Sequence, residues 1–126
     1  MGLPARPSPR PLEWIASSRA DLRKFPEDVR KEMGHSLHLA QLGERPNNAK
    51  PLKGFGGTGV LEVLANHESG TFRAVYTVKF AEVVYVLHCF QKKSKKGIET
   101  PKQDMELIER RLKAAEADYA AHYKKR

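Results

Sequence analysis

VLEVLANHESGTFRAVYTVKFAEVVYVLHCF, residues 60–90, contains three strand-like runs, separated by the turn-forming residues 68–70 and by the short link 81–82. The first run covers residues 60–66. In the second, residues 71–80, apolar and polar side chains alternate, which predicts a strand with one packed face and one polar face. The third, residues 83–90, is apolar on both faces, as is typical of a strand inside a sheet. The runs predict a three-stranded antiparallel meander.

Two helices and a short strand are predicted before the meander. Residues 12–16 are a candidate strand, Ser18 and Asp21 resemble the capping box of a short helix, and Pro26 begins a second helix. The second helix carries apolar residues at spacings of three and four, namely Val29, Met33, Leu37 and Ala40. Residues 44–59, rich in glycine, asparagine and proline, are predicted to form a loop.

A long helix is predicted after the meander. Thr100, Pro101 and Gln103 match a capping box with proline at the first helical position. One apolar stripe follows, made of Met105, Ile108, Leu112, Ala115 and Tyr119. We expect this helix to dock on the sheet or on a partner. The element order predicts an α+β fold, with helices packed on a small antiparallel sheet.

The chain has the length and composition of one domain. Its 126 residues are 40% hydrophobic, which is sufficient for a single core without disulfides. Residues 1–10, rich in proline and arginine, predict a flexible N-terminal arm, and residues 11–126 predict a single domain.

Several classes of protein are disfavoured by what the sequence lacks. No apolar run approaches the roughly 20 residues of a membrane span, and the first 20 residues hold no secretory signal, so we expect a cytoplasmic protein without membrane contact. The only cysteine, Cys89, excludes an internal disulfide. The five histidines form no recognised ligand motif. We therefore expect neither a metal nor another small-molecule cofactor.

Basic charge is concentrated in two short segments. The net charge is +8, from 23 basic and 15 acidic residues. Lys92, Lys93, Lys95 and Lys96 form one cluster directly after an apolar strand, and the last three residues of the chain form the other. Such a patch favours phosphates, an acidic protein or an anionic surface as its partner, although a solvated loop and tail would have the same composition.

The glycine-rich run that begins at Lys53 does not match a P-loop. Its lysine precedes the glycines instead of following them, which disfavours a nucleoside triphosphate site. The glycines favour a tight turn beside the sheet, from which Lys53 would project.

Arg73 and His88 are the candidates for chemistry on the strands. Arg73 lies on the polar face of its strand, where a rigid guanidinium could bind a phosphate or could pair with Glu62 across the sheet. His88 lies near the end of an apolar strand and close to the lysine cluster. It is either a satisfied core residue or a group that transfers a proton near a phosphate.

Four segments resemble the phage-related HigB-like branch of the RelE/ParE toxin superfamily. They are Lys50–Val60 (KPLKGFGGTGV), Gly70–Tyr76 (GTFRAVY), and Val84–Ser94 (VYVLHCFQKKS) with Gly97–Pro101 (GIETP). The resemblance extends over about residues 11–121. The resemblance implies the fold already predicted from the element order, with helices on a small antiparallel sheet.

The resemblance also implies an activity. Its HigB- and RelE-like members are toxins of type II toxin–antitoxin pairs that cut mRNA on the ribosome without a metal. In this chemistry the 2′-hydroxyl of the RNA attacks the adjacent phosphate, and protein cations stabilise the added charge. By motif, Arg73 and Lys92 are similar to the family's catalytic cations, and His88 is the candidate for proton transfer.

Further residues and a partner follow from the same resemblance. Lys53 and Lys93 would grip the RNA backbone, together with Lys95 and Lys96 of the basic cluster. The implied partner is a small helix-turn-helix antitoxin. The lysines that RelE-like nucleases carry on the first meander strand are absent here. Either His88 is therefore the general base, or catalysis rests mostly on charge stabilisation.

Two other functions remain open. A ParE-like toxin of the same fold would bind DNA gyrase and cleave nothing, and the long C-terminal helix is compatible with that activity. A basic RNA- or DNA-binding module without toxicity is the third possibility, but the sequence offers few aromatic residues for stacking on bases.

Overall fold

The computed structural model describes residues 8–57, 59–92 and 100–124. Its elements, in chain order, are β1 (Leu12–Trp14), α1 (Ser18–Arg23), α2 (Glu27–Gln41), β2 (Ala49–Pro51), β3 (Val60–His67), β4 (Gly70–Thr77), β5 (Val84–Lys92) and α3 (Lys102–His122). The predicted α+β class is confirmed. No helix in the described part of the chain is long and apolar enough to cross a membrane.

The predicted meander forms the centre of a five-stranded sheet with the order β1-β5-β4-β3-β2. Strands β2 to β5 pair antiparallel, whereas β1 pairs parallel with β5. Two features were not predicted: the parallel pairing of β1, and strand β2, which lies inside the segment expected to be a loop. Both strands have only three residues, which is too short for a periodic pattern to be recognised.

Helices cover both faces of the sheet. Helices α1 and α2 pack on one face through Leu22, Val29, Met33 and Leu37. Helix α3 packs on the other face through the apolar stripe seen in the sequence, with Ile108, Leu112 and Ala115 buried. The expected polar face of the middle strand is therefore not open to solvent, because α3 covers it.

Several strand and helix ends differ from the sequence expectations; the N-cap of α1, for example, is Ser17 without a side-chain cap, and the capping box expected from Ser18 is absent. Strand β4 ends at Thr77 instead of residue 80, because the Thr77 hydroxyl accepts a hydrogen bond from the Lys79 amide and turns the chain. The predicted capping box of α3 is absent: Pro101 is the N-cap residue, without a side-chain cap. The Thr100 hydroxyl bonds instead to Arg73 on the sheet.

Most of the expected N-terminal arm lies outside the described residues, but its last residue is anchored. The Arg10 guanidinium donates to the carbonyl oxygens of Ala40 at 2.7 Å and Phe80 at 3.2 Å. Its backbone pairs with Gln41, whose side-chain amide donates back to the Arg10 carbonyl at 2.7 Å. Arg10 thus joins the end of α2 to the turn that follows β4.

Gly59, directly before β3, is a glycine of the glycine-rich loop at which an added Cβ would meet the backbone of another segment. Its φ is +66°, and an added Cβ would lie 2.9 Å from the backbone nitrogen of Lys79. Both the left-handed conformation and the contact with backbone oppose a side chain.

We predict that Gly59→Ala lowers the free energy of unfolding by about 2 kcal/mol or more, because strain and overpacking add. Urea denaturation of the purified protein measures the change. Gly56→Ala is the matched control, since a Cβ there meets nothing within 4 Å. An equal effect of the two substitutions would contradict the packing argument.

Candidate functional site

A buried ion pair lies under the start of α3. Arg73 on β4 donates from Nη1 to Glu62 Oε2 at 3.1 Å and to Thr100 Oγ1 at 3.0 Å. Glu62 is the diagonal neighbour of Arg73, because it stands opposite Val75 in the register of β3 and β4. Both side chains are less than 5% exposed. Of the two roles considered for Arg73, pairing with Glu62 is present in this structure.

Lys50 completes the surroundings of the Glu62 carboxylate. It lies opposite Glu62 in the pairing of β2 with β3, and its Nζ is 3.6 Å from Glu62 Oε1. Its side chain is 46% exposed, so it links the buried pair to the surface. The sequence analysis did not single out Lys50. Only the register of the unpredicted strand β2 places it here.

His88 is held at both ring nitrogens. Its Nε2 is 2.7 Å from Asp104 Oδ1 on α3, and its Nδ1 is 3.4 Å from Arg111 Nη1. Because a guanidinium only donates, Nδ1 is the acceptor and Nε2 carries the proton directed at Asp104. The ring is buried and stacks on Phe90 with centroids 4.6 Å apart. Neither Asp104 nor Arg111 could be paired with His88 from sequence spacing.

A β-bulge explains why His88 faces α3. The register steps from Val75 opposite His88 to Tyr76 opposite Val86, which leaves Leu87 as the extra residue of β5. Leu87 belongs to the core under α3, and so the bulge places Leu87 and His88 on the same side of the sheet.

Lys92 and Lys53 lie on either side of the ion pair. Lys92, opposite Thr71 at the end of β5, shares the α3 side of the sheet with Arg73 and is buried. Lys53 is exposed and lines a cleft of about 370 Å³ together with Thr100 and Met105. Lys93, Lys95 and Lys96 lie outside the described residues.

The structure therefore brings most of the predicted residues to one region. Phe90 is directly opposite Arg73, and His88 and Lys92 are two residues to either side of Phe90. Thr100 contacts Arg73 and also lines the cleft with Lys53. Arg73 and Lys50 both contact the Glu62 carboxylate, and Lys53 and Lys92 lie in the same region. Such a group of cations is suited to binding a phosphate and stabilising added negative charge.

Residues 20–113 match the family described as "Phage derived protein Gp49-like (DUF891)". The match covers most of the chain, and the protein belongs to this family. No curated protein is significantly similar to it in sequence.

A solved toxin structure shares its fold. The E. coli toxin RelE, solved in the free state as a double arginine-to-alanine mutant, superposes with a TM-score of 0.54 at 16% identity, covering 85% of this chain and 98% of RelE. The toxin–antitoxin complex RelBE2 of Mycobacterium tuberculosis gives a TM-score of 0.44 at 18% identity, covering 68% of this chain and 94% of the matched chain. The resemblance seen in the sequence is thus confirmed for family and fold, while the HigB branch stays a prediction.

We predict that Glu62→Ala lowers the free energy of unfolding by about 3 to 5 kcal/mol, because it removes the carboxylate of a buried ion pair and leaves the buried Arg73 guanidinium in place. Chemical denaturation measures the loss. Lys50→Ala, which removes the half-exposed cation on the same carboxylate, should cost about 1 kcal/mol or less.

The double variant Glu62→Leu/Arg73→Met removes both charges and is expected to recover most of the stability lost in Glu62→Ala. If the double variant is no more stable than Glu62→Ala, then the stability lost in Glu62→Ala does not come from an uncompensated charge.

Proposed function

We propose that this protein is the toxin of a type II toxin–antitoxin pair and that it cuts mRNA on the ribosome. The observation that carries the proposal is the Arg73–Glu62 pair, which lies on the sheet of a RelE-type fold beside the cleft of Lys53. Because the proposed target is the ribosome of the cytoplasm, the protein is proposed to be cytoplasmic.

The proposed reaction is an internal transfer within the RNA. The 2′-oxygen forms a bond to the adjacent phosphorus, and the bond from phosphorus to the 5′-oxygen breaks. The products are a 2′,3′-cyclic phosphate and a 5′-hydroxyl. Negative charge grows on the phosphate oxygens during the transfer, so fixed cations lower the barrier.

Arg73 is the proposed ligand of the reacting phosphate. Its Nη1 donates to the Thr100 hydroxyl at the edge of the cleft, and a phosphate oxygen arriving there would replace that hydroxyl as acceptor. The exposed Lys53 is suited to guide the backbone into the cleft, and Lys92 adds charge from the end of β5.

The proton transfers are assigned from the hydrogen bonds. Neither ring nitrogen of His88 is available as a base in this arrangement, because Nδ1 accepts from Arg111 and Nε2 is protonated. The Glu62 carboxylate is the better-placed acceptor for the 2′-hydroxyl proton. His88 is assigned to donation of its Nε2 proton to the leaving 5′-oxygen, a step in which that oxygen replaces Asp104 Oδ1 as the acceptor.

The proposed partners are mRNA, the ribosome and a helix-turn-helix antitoxin. The net charge of +8 supports association with ribosomal RNA and with acidic segments of an antitoxin.

A ParE-like toxin that binds DNA gyrase is the second candidate. The observation in its favour is that Arg73, Glu62 and His88 are each 6% exposed or less, as expected for groups that serve structure alone. A basic nucleic-acid-binding module is distinguished from both toxins by its lack of toxicity.

Induction of the protein without its antitoxin, followed by mapping of new mRNA 5′ ends, tests the proposal. We expect growth arrest with new cut sites inside translated reading frames. Growth arrest with intact mRNA would favour the gyrase-binding toxin, and unimpaired growth would contradict both.

Two kinds of variant identify the residues responsible. Glu62→Leu/Arg73→Met is expected to abolish cleavage while circular dichroism shows a folded protein. Lys53→Ala should reduce cleavage about tenfold through weaker binding of the RNA backbone. Lys31→Ala, an exposed change on α2, is the charge-matched control and should leave cleavage unchanged.

A further inference from the structure

One edge of β5 is only partly covered. Strand β1 pairs with Val84–Val86, but β5 extends to Lys92, and within the described residues no strand pairs with its outer edge beyond Val86. A groove of about 360 Å³ runs along this edge between α1 and residues 88–91. The groove is separate from the cleft of Lys53.

Three phenylalanine side chains line the groove. Phe25 and Phe72 contribute two buried rings with centroids 4.7 Å apart. Phe90 lies nearly parallel to the His88 ring, with 15° between the planes, and it is only partly buried whereas His88 is buried. The accessible surface of this stacked pair therefore belongs to Phe90.

Besides His88, one basic and one acidic side chain line the groove. Lys24 at the end of α1 is exposed and lines the groove. Asp21 also lines it, but its carboxylate accepts a hydrogen bond from the Ser17 hydroxyl at 2.7 Å. The Ser17 oxygen in turn accepts from Arg111 at 3.1 Å, so the Ser17 hydroxyl links the Asp21 carboxylate to a guanidinium.

Phe90 lies next to Arg73, the residue proposed to bind the reacting phosphate. It is the direct cross-strand partner of Arg73 on the α3 side of the sheet. Directly opposed residues of antiparallel strands have Cβ atoms about 5 Å apart. An RNA strand whose phosphate reaches Arg73 would therefore bring a neighbouring nucleotide to the Phe90 ring.

We infer that Phe90 is a stacking platform for a nucleobase next to the cleaved phosphate, and that it contributes to the choice of cleavage site; this inference rests on the proposed function. Bases of single-stranded RNA stack on aromatic side chains, and a cation beside the ring suits the adjoining phosphate. The sequence analysis found few aromatic residues for stacking, because a half-buried strand residue cannot be recognised as accessible from its sequence.

An open strand edge could also pair with an extended peptide. The observations favour RNA, because backbone pairing requires no aromatic lining and because Phe90 stands beside the guanidinium proposed to hold the phosphate. A peptide is therefore one of the outcomes that the test must be able to report.

The experiment measures stacking without requiring cleavage. The probe is a single-stranded RNA trinucleotide that carries 2-aminopurine, whose fluorescence falls on stacking, with 2′-O-methyl groups that block the reaction. The wild-type protein and Phe90→Tyr should quench the probe, and Phe90→Leu should bind it about tenfold or more weakly, with the quenching lost. Lys24→Ala should weaken binding while the quenching of bound probe remains.

Equal binding and quenching by the wild type and Phe90→Leu would overturn the inference. So would unchanged RNA binding combined with weaker antitoxin binding by Phe90→Leu, because the groove would then serve a peptide. Failure of the wild type to bind the probe would also overturn it.

Mapping of mRNA 5′ ends separates this inference from the proposed function. Phe90→Leu should alter the bases found beside the cut sites, and Phe90→Tyr should restore the wild-type pattern. Cleavage with an unchanged pattern in Phe90→Leu would overturn the inference while the proposed function stands. Quenching without any cleavage by the wild type would support the inference and contradict the proposed function.

Discussion

The ion pair between Arg73 and Glu62 constrains both the fold and the candidate site. Two opposite charges less than 5% exposed are tolerated only when each has well-placed partners, because their desolvation is costly. The partners come from three separate parts of the chain: neighbouring strands of the meander, Lys50 on a short edge strand, and Thr100 before α3. The pair therefore requires the sheet and the last helix to be assembled together.

Helix α3 determines which groups a substrate can reach. It covers the side of the sheet that carries Arg73, Glu62 and His88, and it supplies Asp104, which fixes the orientation of the histidine. The accessible features lie at the margins of α3, where the cleft of Lys53 meets the buried charges and the partly exposed Phe90 borders the edge of β5. The buried Arg73–Glu62 pair thus lies between two surface features. The cleft of Lys53 is proposed to bind the RNA backbone, and the Phe90 ring is proposed to bind a base.

Local patterns in the sequence were sufficient for much of this account. Alternation over the meander and the stripe from Met105 to Tyr119 identified the central strands and α3, and the shared polar face placed Glu62 near Arg73. Contacts between distant segments were not predictable. Lys50 reaches the site through a three-residue strand, and Thr100 binds the sheet although its sequence context is that of a helix cap. The partners of His88 depend on a bulge and on helix packing.

The chemistry of the RNA ends tests the central claim most directly. Purified protein is incubated with translating ribosomes, and the 3′ ends of the mRNA fragments are analysed. Attack by the 2′-hydroxyl, assisted by the charges around Arg73, predicts that each cut leaves a 2′,3′-cyclic phosphate on the upstream fragment. The downstream fragment then begins with a 5′-hydroxyl. Fragments with a 3′-hydroxyl and a 5′-phosphate, or no fragments at all, would contradict the account.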